Sequence, residues 1–254
     1  SPAVCLAQRD GNAGLVLRPE LVARLSTRRF EYKGQAFSLS PNAVDQIVRE
    51  LATPQMHEGL ITANEKLYNA LTLGVTVSEF VEGKKVSVTV PIIDWLQPSN
   101  NSFTVSEEVE ILNTSGTGTR RPDIICYVNG LPLAVIEAKR PGGGNPNSSM
   151  VTEGISQTIR NQKPDEIPHL FAYAQLLLAV SMTDGRYGTT KTPAKFWTGW
   201  RDEEFDEAHF LAVKNHGLQP DRMAGLLALR EPWVRQHFTQ LWSAPQAVTG
   251  QDRL

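Results

Sequence analysis

Residues 121–140 read RPDIICYVNGLPLAVIEAKR. Two apolar runs flank Asn129-Gly130, a pair suited to the left-handed backbone of a tight hairpin. Asp123 opens the first run; Glu137 and Lys139 close the second. Side chains alternate along a strand, so Glu137 and Lys139 point the same way. Whether Asp123 joins them depends on register. With a two-residue turn and straight strands, Asp123 would sit opposite Ile136 and Glu137 opposite Pro122, leaving the two acids on opposite faces. With a three-residue loop Asn129-Gly130-Leu131, or with one residue bulged out, Asp123 faces Glu137 and Ile125 faces Val135. Pro132 cannot donate to a ladder, which suits an irregular start to the second strand. A longer loop or a bulge is therefore expected. Two carboxylates beside a lysine then form a site for a hard divalent cation, to which the backbone carbonyl of Ala138 adds a further oxygen. Such a site can polarise a phosphate and activate water.

The flanking sequence supplies helices and more strands. Residues 1–17 read as an irregular arm and 19–28 as a weak helix. Ser40-Pro41 starts a helix to about residue 51, with serine as cap and proline at the first helical position. A second helix spans 58–73 and stops at Gly74. Its stripe of Leu60, Ile61, Asn64, Leu67, Tyr68 and Leu71 is mostly apolar, with Glu65 beside it. Residues 75–81 and 85–93 read as a hairpin, and 103–112 as a strand. A polar loop, 113–119, precedes Arg120-Arg121. After the acidic hairpin come a glycine-rich loop, 141–149, a helix over about 150–162, a buried strand at 176–182 and a turn at 183–188. The pattern predicts an α/β domain over 1–201, with a mixed central sheet flanked by helices. Residues 202–254 read as a helical appendage or connector.

Composition narrows the class. The chain has 254 residues, 41% hydrophobic and 20% charged. Its net charge of −2 gives no global positive field, so nucleic-acid binding must use local patches. Cys5 and Cys126 suggest no disulfide framework, and Cys126 reads as a buried free thiol. No apolar run is long enough to span a membrane, and the start lacks the regions of a signal peptide. A cytoplasmic protein without membrane contact is expected. The five histidines show no metal-ligand spacing, and the tryptophans read as packing anchors.

The acidic hairpin, together with NEKLYNALTLGVTV, IIDWLQPSNNSFTV and HLFAYAQLLLAVSMTDG in that order, resembles the N-terminal nuclease domain of the restriction (R) subunit of type I restriction–modification systems, within the PD-(D/E)xK superfamily. The resemblance covers roughly residues 60–200. It implies a restriction-endonuclease-like core and hydrolytic cleavage of double-stranded DNA. It also implies dependence on Mg²⁺, with Mn²⁺ as a substitute, and assembly with modification and specificity subunits. Asp123 and Glu137 match the metal-binding acids, and Lys139 the lysine acting on the attacking water. Glu65 matches an acid that lies near the metal in this superfamily, and Gln157 the glutamine of a Gln-x-x-x-Tyr motif. The fourth position after Gln157 is Asn161, a departure that concerns how this helix meets DNA.

Relatives continue into an ATP-driven motor, whereas this chain lacks a Gly-x-x-x-x-Gly-Lys-Ser/Thr loop. A fragment of a longer subunit, or a stand-alone relative, is therefore expected, with ATP bound only in an absent motor and no small-molecule substrate here. Lys139 is expected to position water as a cation rather than to act as general base. Arg120, Arg121, Arg140, Arg160 and Lys163 are candidates for phosphate contacts. The competing reading is a non-catalytic DNA-binding or subunit-docking module that keeps the nuclease fold. Loss of Mn²⁺ binding in Asp123→Ala would separate the two.

Overall fold

A computed structural model describes residues 7–139, 150–181 and 184–199. The segment 202–254, expected to be a helical appendage, lies outside the described residues, as does Arg140. Ser1–Asp94 and Ser99–Gly199 group as one compact unit, to which the following applies.

Among the described residues, helix α1 (Arg18–Leu25) is followed by hairpin β1 (Arg29–Tyr32) and β2 (Gln35–Ser38), and helices α2 (Pro41–Ala52) and α3 (Leu60–Leu73). Ser40 caps α2 by accepting a hydrogen bond from Ala43 N–H at 3.2 Å. A second hairpin, β3 (Val75–Val81) and β4 (Lys84–Val90), packs against α2. Then come β5 (Phe103–Glu107), a two-residue pair β6 (Ile111–Leu112) and β7 (Thr119–Arg120), β8 (Ile124–Val128) and β9 (Leu131–Ala138). Helices α4 (Met150–Asn161) and α5 (Pro168–Tyr173) lead to β10 (Leu176–Val180), β11 (Gly185–Gly188) and β12 (Thr198–Gly199).

The central sheet has six strands in the order β12-β11-β10-β9-β8-β5. Only the β9–β10 pairing is parallel, so the sheet is mixed, as its sequence pattern predicts. α4 lies between β9 and β10 in the chain and packs on both, as a parallel crossover requires. The middle of β9 is buried on both faces, which is why its sequence is continuously apolar rather than alternating. Cys126 in β8 is a free, buried thiol pushed up to about 12 by desolvation, a packing residue rather than a nucleophile.

Several expectations are corrected. The sequence pattern does not predict the β1–β2 hairpin or α5; both are short and carry weak periodicity. The expected strand at 103–112 breaks at Glu108, whose φ of 48° turns the chain. Residues 185–188, expected within a turn, form β11 at the antiparallel side of β10. The end of the irregular arm expected over 1–17 is docked on the domain. Leu15, Val16 and Leu17 are buried, and Leu17 N–H donates to the Gly130 carbonyl at 2.9 Å. Asn64, the polar member of the α3 stripe, donates to the carbonyls of Phe171, Ala172 and Ala174 at 2.9–3.2 Å, satisfying the end of α5.

Candidate metal centre

The hairpin solves its register problem with a bulge. Asn129 and Gly130 have φ of 51° and 81°, the signature of a two-residue turn with both central residues left-handed. Val128 pairs with Leu131 and Tyr127 with Pro132, but Cys126 then pairs with Ala134. Leu133 is the extra residue, and its carbonyl accepts a hydrogen bond from Gln175 N–H at 2.8 Å instead of serving the hairpin. Beyond it Ile125 faces Val135 and Ile124 faces Ile136. The slip of one residue moves the end of β9 to the other face relative to β8. Asp123, immediately before β8, is thereby brought to Glu137.

Four side chains converge there. Ala138 N–H donates to Asp123 Oδ2 at 2.8 Å. Lys139 Nζ lies 3.8 Å from Asp123 Oδ2 and 3.4 Å from Glu137 Oε2. Gln157, on α4, bridges the lysine and the glutamate: its Oε1 accepts from Lys139 Nζ at 2.7 Å and its Nε2 donates to Glu137 Oε2 at 2.7 Å. Glu137 is fully buried, whereas Asp123 is partly open to solvent. Burial pushes the Glu137 carboxyl up to about 8; the Asp123 charge adds to the rise and Lys139 opposes it.

Glu137 Oε1 is buried and accepts no hydrogen bond. Leaving a buried acceptor unmatched costs about 1–3 kcal/mol, and ionising Glu137 beside the Asp123 carboxylate adds repulsion. A stable core has no use for that arrangement, whereas a divalent cation would match the spare oxygen and cancel the repulsion. The residues therefore fit a hard, oxygen-ligated ion held by Glu137 and Asp123, with the backbone carbonyl of the exposed Ala138 as a further oxygen. Among the described residues no group of three His, Cys, Asp or Glu side chains converges to hold a metal. The remaining positions would fall to water or a phosphate oxygen, as Mg²⁺ favours.

The other sequence-derived candidates are placed differently. Glu65 is exposed on α3 and joins no such trio. Its neighbour Asn64 caps carbonyls just before β10 begins, whereas Glu137 aligns with the far part of that strand. Arg120 forms a bidentate pair with the buried Glu166, its Nη2 donating to Oε1 at 2.8 Å and its Nε meeting Oε2. Arg121 lies 3.9 Å from Glu108, both exposed. Arg160 and Lys163 are exposed at and beyond the end of α4, the helix that carries Gln157. Asn161, at the position of the expected tyrosine, is buried and so does not face solvent. Sequence reading missed the Ala138 N–H and Glu166. No side chain signals a backbone donor, and a carboxylate in a polar loop carries no hint of its partner.

Among the described residues no helix is long and apolar enough to cross a membrane. Residues 7–196 match the family described as type I restriction enzyme R protein N terminus. The chain is 33% identical over 163 residues to the type I restriction enzyme HindI endonuclease subunit of Haemophilus influenzae, an alignment covering 64% of this chain and 15% of that protein. It is 28% identical over 152 residues to a protein of Methanocaldococcus jannaschii provisionally named the type I restriction enzyme MjaIXP endonuclease subunit, covering 59% and 14%. The chain thus spans about a seventh of the length of these relatives. With the match running through five of the six strands of the central sheet and through the paired acids, the chain belongs to the family of type I restriction enzyme R protein N-terminal domains.

Proposed function

We propose that residues 1–201 are a metal-dependent endonuclease domain of a type I restriction enzyme R subunit, with a PD-(D/E)xK core that hydrolyses phosphodiesters of double-stranded DNA. The observation that carries this reading is the unmatched, buried Oε1 of Glu137 beside Asp123, within reach of a lysine.

Each residue has a distinct task. Asp123 and Glu137 would hold Mg²⁺, or Mn²⁺ in its place, with the Ala138 carbonyl. When bound, the ion supplies charge for the scissile phosphate and for the leaving oxygen. Lys139, anchored by Gln157, presents its ammonium to both carboxylates, where it orients the attacking water and offsets charge on phosphorus. Gln157 ties α4 to the site and fixes the rotamers of both Glu137 and Lys139. Ala138 N–H steers Asp123, leaving its Oδ1 for the ion. Glu65 is proposed only as an outer acid of the site. Arg160 and Lys163 contribute phosphate contacts, as do Arg121 and Arg140; Arg120 contributes only what its pairing with Glu166 leaves free.

The parent enzyme would act in the cytoplasm with modification and specificity subunits, and residues 202–254 would lead toward a motor that uses ATP. The test uses a full-length R subunit assembled with those subunits. Asp123→Ala and Lys139→Ala are expected to abolish cleavage while ATP hydrolysis on DNA persists. Cleavage at the unmodified rate by both variants would refute the assignment.

A further inference from the structure

Gly154 lies within α4, although glycine is the poorest helix former after proline. It is buried directly above the Ala179–Glu137 pair of adjoining strands. A Cβ at this position would come 3.2 Å from Ala179 Cβ, 3.5 Å from Glu137 Cβ and 3.5 Å from Lys139 Cγ. Three residues further along the helix stands Gln157, whose single amide makes both 2.7 Å contacts, to Glu137 and to Lys139. Positions three apart share a helix face. The bare glycine and the bridging amide therefore look onto the same pair of site residues.

We propose that Gly154 is a positioning residue for the site: its missing side chain sets the distance at which α4 rides over β9 and β10, and so the reach of Gln157. The inference rests on the metal-site reading given above. The Ala179 methyl is fixed to its backbone and cannot swing aside, so a methyl at position 154 is accommodated by lifting the helix a few tenths of an ångström. Through that shift one planar amide cannot hold both contacts at 2.7 Å, and the two lengthen and tilt together. The contact to Lys139 and the contact to Glu137 loosen together, and both site residues regain rotamer freedom.

The test compares the 254-residue chain with Gly154→Ala, Ala179→Gly, Ala179→Val and the double variant Gly154→Ala/Ala179→Gly. Mn²⁺ affinity is measured by calorimetry, and the Gln157 side-chain amide is followed by NMR. Outer residues that orient metal ligands are typically worth about 10–100-fold in affinity. Gly154→Ala and Ala179→Val, which crowd the same contact from opposite sides, are expected to weaken Mn²⁺ at least about tenfold and move the Gln157 amide signals toward those of a free amide. The double variant restores both, and Ala179→Gly alone leaves both near wild type. Mn²⁺ affinity and Gln157 signals unmoved in both crowded variants would overturn the proposal, as would a double variant no better than Gly154→Ala. If the wild-type chain binds no Mn²⁺, the metal reading fails, and the amide signals decide the positioning role separately.

Discussion

Ala138 N–H donates to Asp123 Oδ2 at 2.8 Å across the open end of the β8–β9 hairpin. A backbone donor on the strand that carries Glu137 thus fixes the carboxylate from the neighbouring strand. The relationship exists only because Leu133 is bulged out, since a straight ladder would turn Glu137 to the other face. The bulge is one residue in the middle of a hydrophobic strand, and the placement of the acidic pair depends on it.

The hairpin tip is correspondingly intolerant. Gly130 has φ of 81°, and a Cβ there would meet the Leu17 carbonyl oxygen at 2.5 Å. Gly130→Ala combines left-handed strain with this clash and is expected to cost about 1–3 kcal/mol or more. Urea unfolding checks it; a midpoint equal to wild type would show that the tip does not set the register.

Glu137 gives a pH signature. An unperturbed glutamate carboxyl titrates near 4.5, and burial together with the Asp123 charge pushes this one up to about 8 in the fold. The folded chain therefore holds this proton more tightly than the unfolded chain, and the metal-free protein loses stability as pH rises from about 4.5 through about 8. Glu137→Gln removes that loss. Its advantage over wild type is expected to be small at pH 4.5 and to grow to the order of a few kcal/mol by about pH 8.5, with Mn²⁺ binding gone. Denaturant midpoints across this range, without metal, provide the check; parallel pH profiles would contradict it.

Much of this was legible in the sequence. Asp123, Glu137 and Lys139 announced themselves by chemistry at the ends of apolar runs, and alternation alone required a bulge or longer loop to unite them. Alternation could not say which: Asn129-Gly130 makes the tight turn and Leu133 makes the correction. The helix expected over about 150–162 after the glycine-rich loop spans Met150–Asn161, and the start at Ser40-Pro41 followed from capping chemistry. The β1–β2 hairpin, α5 and β11 were illegible because four to six residues carry too little periodicity to read. Arg120 read as a free cation because the sequence gives no clue that Glu166 lies across from it.

That pairing separates two arginines that look alike on paper. Arg120→Ala leaves Glu166 buried without its partner and is expected to cost about 1–3 kcal/mol of stability. Arg160→Ala, at an exposed position, is expected to stay within about 0.5 kcal/mol of wild type. It should instead weaken DNA binding and lower the salt dependence by about one phosphate contact. Thermal melts and DNA titrations at several salt concentrations distinguish the two; an Arg160→Ala variant with wild-type DNA affinity would remove that residue from the interface.

Gln157→Ala is expected to leave the sheet folded but to release Lys139 and the Oε2 of Glu137 together. Mn²⁺ affinity should fall by about 10–100-fold. Calorimetry at constant pH measures it, and unchanged affinity would reduce Gln157 to a packing contact.

The central claim is that Glu137 Oε1 and Asp123 together accept a divalent ion. Crystals of the chain soaked in Mn²⁺ and recorded at an anomalous wavelength test it most directly. The expected result is a peak on the order of 2 Å from Glu137 Oε1 and from an Asp123 oxygen, absent from Asp123→Ala crystals. Saturating Mn²⁺ with no peak between these two carboxylates, and Oε1 still unmatched, would contradict the account.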